Sequence, residues 1–142
     1  MTSGLPEDAG VHHLRVRYAE TDQMGVAHHS SYVPWIEEAR TEWMRARGRS
    51  YREMEDQGLA LTVVRLDIRY RESARYDEVI RIRTWMDVQH RASVTLAYRL
   101  FRVDSPEAAS EQVLAEAETR LALLGRDGSL LRIPDDLFGS GV

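Results

Sequence analysis

The chain has 142 residues, 43% of them apolar and 30% charged, with a formal net charge of −4. These totals suit one soluble domain with a single core, and a net negative charge argues against a nucleic-acid binder. Cysteine is absent, which excludes disulfides, thiolate metal sites and a cysteine nucleophile, and no apolar run approaches the ~20 residues needed to cross a bilayer.

Residues 1–10 read as a flexible lead-in. The opening MTSGLPEDAG lacks the basic-then-apolar pattern of a secretory signal, so a cytoplasmic protein is expected. From Leu14, alternation of Leu14, Val16 and Tyr18 with Arg15 and Arg17 predicts a half-buried strand. The period then changes. Tyr32, Ile36, Ala39, Trp43 and Ala46 step by four and three, the spacing of one helical face. Ser30 or Ser31 is placed to cap this helix, Pro34 is tolerated in its first turn, and Gly48 is placed to stop it. Ser50 to Gln57 reads as a shorter helical piece ending at Gly58.

Beyond Gly58 the pattern is sheet. Val64 to Arg71, Ile80 to Met86, Val94 to Leu100 and Val113 to Leu124 alternate apolar with polar, separated by turn-forming segments. Four strands read as consecutive hairpins predict an antiparallel sheet, against which the one long helix buries its stripe. The expected class is α+β, with a five-stranded antiparallel sheet wrapped around one central helix. The domain is expected over residues 11–138, with a short tail at 139–142. One sheet face and an edge strand stay open, which predicts self-association.

Side chains able to move protons concentrate in YAETDQMGVAHHSSY, residues 18–32. A metal is poorly supported there. The adjacent His28 and His29 cannot both face one ion from regular structure, and no third ligand follows at a familiar spacing. Ser30 and Ser31 lack a nucleophile elbow. Asp22 precedes Gly25 in a loop that runs into the helix N-terminus, where free N–H groups can hold an oxyanion. A carboxylate facing them could attack a polarised carbonyl or activate water. Spacing alone leaves this reading level with the simpler one, that Thr21 and Asp22 only make a turn.

The same residues carry a family likeness. Tyr18, Glu20, Thr21, Asp22, Gly25, Val26, His28, His29 and Tyr32 resemble the signature of hotdog-fold acyl-CoA thioesterases. The likeness is to the 4-hydroxybenzoyl-CoA thioesterase type, including its Tol-Pal-associated bacterial relatives. Trp35 to Glu42 resembles that family's central helix, and Arg69 to Glu78 resembles a later hairpin. The resemblance implies a homo-oligomeric, cofactor-free and metal-free hydrolase of acyl-CoA. Asp22 falls on its nucleophile or general base, and the backbone N–H of His29 on its oxyanion donor. Gly25, Val26, His28 and Tyr32 would border the substrate, and Arg91 would meet the nucleotide end of CoA. Tyr18 and Tyr32 are also expected to pack and frame the loop. Arg75 is expected to pair internally with Asp77, and Glu37, Glu38 and Glu42 to be surface charges. Ser73 stands where relatives often have proline, and His28 where they often have a larger residue. The alternative carried with this reading is a non-catalytic module of the same fold that binds acyl-CoA or an acyl carrier; a dehydratase of the fold ranks last.

Overall fold

A computed structural model describes residues 4–138. The first three residues of the expected lead-in and the expected tail at 139–142 lie outside the described residues. In chain order the elements are β1 (Gly10–Arg15), 3-10 turns at Tyr18–Glu20 and His29–Ser31, α1 (Tyr32–Ala46), α2 (Tyr51–Asp56), β2 (Ala60–Tyr70), β3 (Val79–Gln89), β4 (Ser93–Val103), β5 (Gln112–Leu124) and β6 (Leu130–Leu131). All pairings are antiparallel, in the order β1-β3-β4-β5-β2, with the two-residue β6 added on β5.

The expected class is observed: five long antiparallel strands and one long helix. The expected run of four hairpins is not. Only β3, β4 and β5 form a meander, because β2 pairs with β5, matching Ala60 to Leu124 and Tyr70 to Ala115. Alternation reports which face a strand buries, not which strand it hydrogen-bonds, so the crossover left no trace in the pattern.

Helix α1 starts and stops where its spacing predicts. Tyr32, Ile36, Ala39 and Trp43 are buried, joined by Trp35, Arg40 and Met44, while Ala46 is exposed, so the buried stripe is wider and one turn shorter than expected. It packs over the inner sheet face, where Ile80, Ile82, Leu96, Tyr98, Leu100, Leu114 and Leu121 complete the core. Trp43 explains Gly10. A Cβ there would lie 2.9 Å from the Trp43 ring, so only glycine lets β1 run this close to the helix. The strand expected from Leu14 to Tyr18 is shifted towards the N-terminus: it starts at Gly10 and ends at Arg15. Val16 is buried, but Tyr18 leaves the sheet on a 3-10 turn and is exposed. Before β1, Ala9 is buried and Leu5 packs on Val79, Phe101 and Val103.

Candidate active site

The segment after β1 folds into a small hairpin. The Asp22 N–H donates to the Val26 carbonyl at 2.9 Å, the His28 N–H donates to the Glu20 carbonyl at 2.8 Å, and Thr21 bridges Ala27. The turn between them requires Gly25, whose φ is +81°, a region where a Cβ is unfavourable. Asp22 closes the same turn from its side chain: Oδ1 accepts from the N–H of Met24 at 2.9 Å and of Val26 at 3.4 Å. Its Oδ2 makes no hydrogen bond among the described residues, and the residue is exposed. The turn-forming and reactive readings of Asp22 are therefore compatible, since each uses a different oxygen.

Two further clamps fix this hairpin. On one side, the Ala27 N–H donates to the carbonyl of fully buried Ala74 at 2.7 Å, and Val26 bridges Arg75. The other is Glu20. Its Oε1 accepts from the Arg17 N–H at 2.7 Å, its Oε2 from the Trp35 indole N–H at 2.8 Å, and its carbonyl from Ser31 Oγ at 2.9 Å. Sequence reasoning gave Glu20 no positioning role. The signal was its distance from Trp35, a buried donor on the helix that needs an acceptor.

The helix start also departs from expectation. Neither serine caps the helix by its side chain; His28 does the capping instead. Its Nδ1 accepts from the Ser30 N–H at 3.1 Å and lies 2.7 Å from Ser30 Oγ. Ser31 is drawn away to Glu20. His29 is the first residue of the 3-10 turn, and its N–H has no hydrogen-bond partner among the described residues. Its carbonyl accepts from the Tyr70 hydroxyl at 3.1 Å, and its ring stacks on that of His28 with centroids 4.2 Å apart.

Between the helix start and the end of β2 lies a cleft of roughly 220 Å³, bordered by Ala27, His29, Tyr32, Tyr70 and residues 71–73. Tyr32 and Tyr70 meet edge to face at 5.0 Å, and burial pushes both phenols up from their ordinary value, so both stay neutral. Of the expected substrate residues, Tyr32 borders this cleft. Gly25, Val26 and His28 lie instead on the adjoining hairpin and its exit, with Asp22. Tyr18 packs edge-on against Tyr76, on the surface rather than in the core.

Arg91 lies elsewhere. It occupies the β3–β4 turn, whereas the hairpin adjoins the start of β3, where the Val16 N–H bonds the Glu78 carbonyl. The intervening strand runs about 35 Å. Arg91 borders a separate cleft of roughly 530 Å³ with His90, Arg132 and Asp135, closed by the Ile133 N–H donating to the Arg91 carbonyl at 2.8 Å. Within one chain, Arg91 and Asp22 do not meet.

The expected Arg75–Asp77 pair does not form. Asp77 adopts φ +69° and is engaged by Arg15, which reaches its carbonyl at 2.7 Å and its carboxylate at 3.5 Å. No three histidine, aspartate or glutamate side chains among the described residues converge as metal ligands.

The thioesterase superfamily model matches residues 24–109, beginning two residues after Asp22. The acyl-CoA thioester hydrolase YbgC of Escherichia coli O6:H1 is 30% identical over 101 residues, 71% of this chain and 75% of that one. The crystal structure of a hypothetical protein, TT1821, from Thermus thermophilus superposes with TM-score 0.79 at 34% identity, covering 91% of this chain and 94% of that one. The DHNA-CoA thioesterase from Staphylococcus aureus superposes with TM-score 0.79 at 30% identity, covering 90% and 81%. The match spans more than half the sequence and the fold agrees with it: the chain belongs to the thioesterase superfamily and is a hotdog-fold thioester hydrolase.

Proposed function

We propose that this chain hydrolyses an acyl-CoA thioester to the free acid and CoA, with Asp22 as the reacting carboxylate and the His29 N–H as oxyanion donor. The observation that carries the reading is the state of Asp22. One oxygen is fixed by the loop's own N–H groups and the other is free, on a hairpin clamped beside a helix start with an unused N–H. The thioester carbonyl oxygen accepts from His29, which draws charge off the carbon. Asp22 then either adds to that carbon or takes a proton from the water that does. Collapse of the tetrahedral species breaks the C–S bond, and the sulfur leaves as thiolate. In the general-base route it takes up the proton held by Asp22 and the free acid is released. In the nucleophilic route an acyl–Asp22 anhydride remains, which water hydrolyses to the free acid and the restored carboxylate, its proton going to the thiolate. The nearby helix end favours the negative charge that develops.

The working enzyme is an oligomer: a dimer, with dimers pairing into a tetramer. Support comes from β2, an eleven-residue edge strand that exposes Val63, Val64, Leu66 and Tyr70. Val64 is 57% exposed, unusual for valine in a strand this long. An oligomer also accounts for Arg91, which serves the CoA phosphates of a substrate held at another subunit's Asp22. Thiol release from short, long, branched and aromatic acyl-CoAs tests the activity. Arg91→Ala is expected to raise KM about tenfold, the scale of one lost charge-assisted phosphate contact. An unchanged KM would remove Arg91 from the site, and no turnover of any thioester would leave a binding module.

A further inference from the structure

Most charged side chains around the hairpin have a partner of opposite sign. Asp77 is engaged by Arg15, Glu20 by Arg17, and both Glu72 and Glu78 by Arg102. Glu78 also accepts from the Arg75 main chain at 2.7 Å. Among those without one are the carboxylate of Asp22 and the guanidinium of Arg75, which pairs with no carboxylate among the described residues.

These two groups share a surface. In the patch formed by the hairpin and the connector before β3, Ala74 is fully buried and Ala27 packs against the core. Their neighbours Arg75 and Val26 bridge one another, and alternation of the pleat turns them outward. Asp22, which is exposed, lies across the hairpin from half-buried Val26, its N–H bonded to the Val26 carbonyl. Nη1 of Arg75 reaches the turn itself, 3.8 Å from where a Cβ on Gly25 would stand. The backbone of Arg75 is held at three points: the Val26 bridge, its N–H to Glu78, and the Glu78 N–H donating to its carbonyl at 3.2 Å. The structure thus carries a cation with a fixed base, and no carboxylate partner among the described residues, at the turn that holds the proposed reacting carboxylate.

Resting on the function proposed above, we infer that Arg75 is a specificity residue that takes a carboxylate on the acyl group, so that the favoured substrates are CoA thioesters of short dicarboxylic acids. The phosphates of the same CoA are the wrong anions, because they sit at the far end of the pantetheine arm from the carbonyl. A planar guanidinium matches a carboxylate through two parallel hydrogen bonds, which an ammonium does not reproduce.

Succinyl-CoA and butyryl-CoA have acyl groups of the same chain length and differ chiefly in a terminal carboxylate against a methyl. The ratio of their kcat/KM values, in wild type, Arg75→Ala and Arg75→Lys, reads the inference directly. Wild type should favour the succinyl ester. Arg75→Ala should lower that preference about tenfold, with the loss carried by the succinyl ester, and Arg75→Lys should restore part of it. Equal ratios in all three proteins would overturn the inference. So would an equal loss on both esters, which would mean that Arg75 acts through Asp22. A loss seen on CoA esters of either acid but absent from the matching pantetheine esters would overturn it in favour of phosphate. The ratio of Kd values for the two esters, measured in the Asp22→Asn background with and without Arg75→Ala, gives the same decision without turnover. If wild type hydrolyses neither ester, the Kd ratio still decides the role of Arg75, and the wider panel of acyl-CoAs decides the proposed activity.

Discussion

Replacing Tyr98 by phenylalanine isolates the least usual feature of the core. Arg40 is only 5% exposed on the inner face of α1, yet no carboxylate among the described residues pairs with it. Its acceptors are two phenols: Nε donates to Tyr51 at 2.7 Å and Nη1 to Tyr98 at 3.4 Å. Burial pushes the Tyr98 phenol up, keeping it neutral; its oxygen accepts from Arg40 and its hydroxyl shares a hydrogen bond with the Thr119 hydroxyl at 2.6 Å. Phenylalanine keeps the ring and opens no cavity. It leaves an arginine that cannot deprotonate short of one acceptor, and leaves buried Thr119 without its partner. A bond to a charged group contributes about 1.5–3 kcal/mol, and its length here favours the lower end; the neutral bond adds about 1 kcal/mol. The expected loss is about 2–3 kcal/mol. For a chain of this length that lowers Tm by roughly 5–10 °C, measured at fixed protein concentration because association also shifts Tm. Tyr51→Phe is the control. Its bond is shorter, but Tyr51 is only half-buried, so water can replace the lost acceptor and the cost should be smaller. A Tyr98→Phe shift below about 2 °C, or a larger shift for Tyr51→Phe, would refute the argument from burial.

Gly25→Ala should cost about 1–2 kcal/mol of stability from its positive φ alone, since a Cβ there meets nothing closer than Arg75. Because the same turn orients Asp22, kcat should fall by a larger factor than KM rises; activity equal to wild type would show that the hairpin conformation is not needed. His13 gives a pH dependence of stability. Burial first, and then Arg81, whose Nε donates to His13 Nε2 at 3.0 Å, hold its pKa below the ordinary 6.5. The unfolded chain therefore takes up this proton at higher pH than the folded one. The contribution is present above about pH 6.5 and is lost as pH falls through the folded value. Thermal scans between about pH 7.5 and 5 should show a shallower decline for His13→Gln than for wild type, and parallel curves would contradict the assignment.

The helix was legible because its pattern is local. Tyr32, Ile36, Ala39 and Trp43 announce their face by spacing, and Gly48 follows the last turn with φ +81°. The positions of β2 to β5 were legible for the same reason, but strand order was not, since nothing in β2 names β5 as its neighbour. Arg40 shows a second limit. A charged residue on the apolar stripe reads as surface until Tyr51 and Tyr98, 11 and 58 positions away, supply its acceptors. At the site, Gly25 and Asp22 stood out by residue type and spacing. His28 as the cap, Glu20 as the tie to Trp35, and Arg15 rather than Arg75 as the partner of Asp77 all depend on how the loop folds back. Residue type marked where the chemistry concentrates. The pairing of charges within it came only from the fold.

The central claim is that the Asp22 carboxylate acts on the thioester. Thiol release from an accepted acyl-CoA, compared between wild type and Asp22→Asn, tests it most directly. Asparagine keeps an oxygen able to accept from the Met24 and Val26 N–H groups, so the hairpin should survive and Tm should stay within about 2 °C of wild type. Turnover should fall at least about a hundredfold, the scale of a positioned acid/base or nucleophile. Turnover equal to wild type in the folded variant would contradict the account.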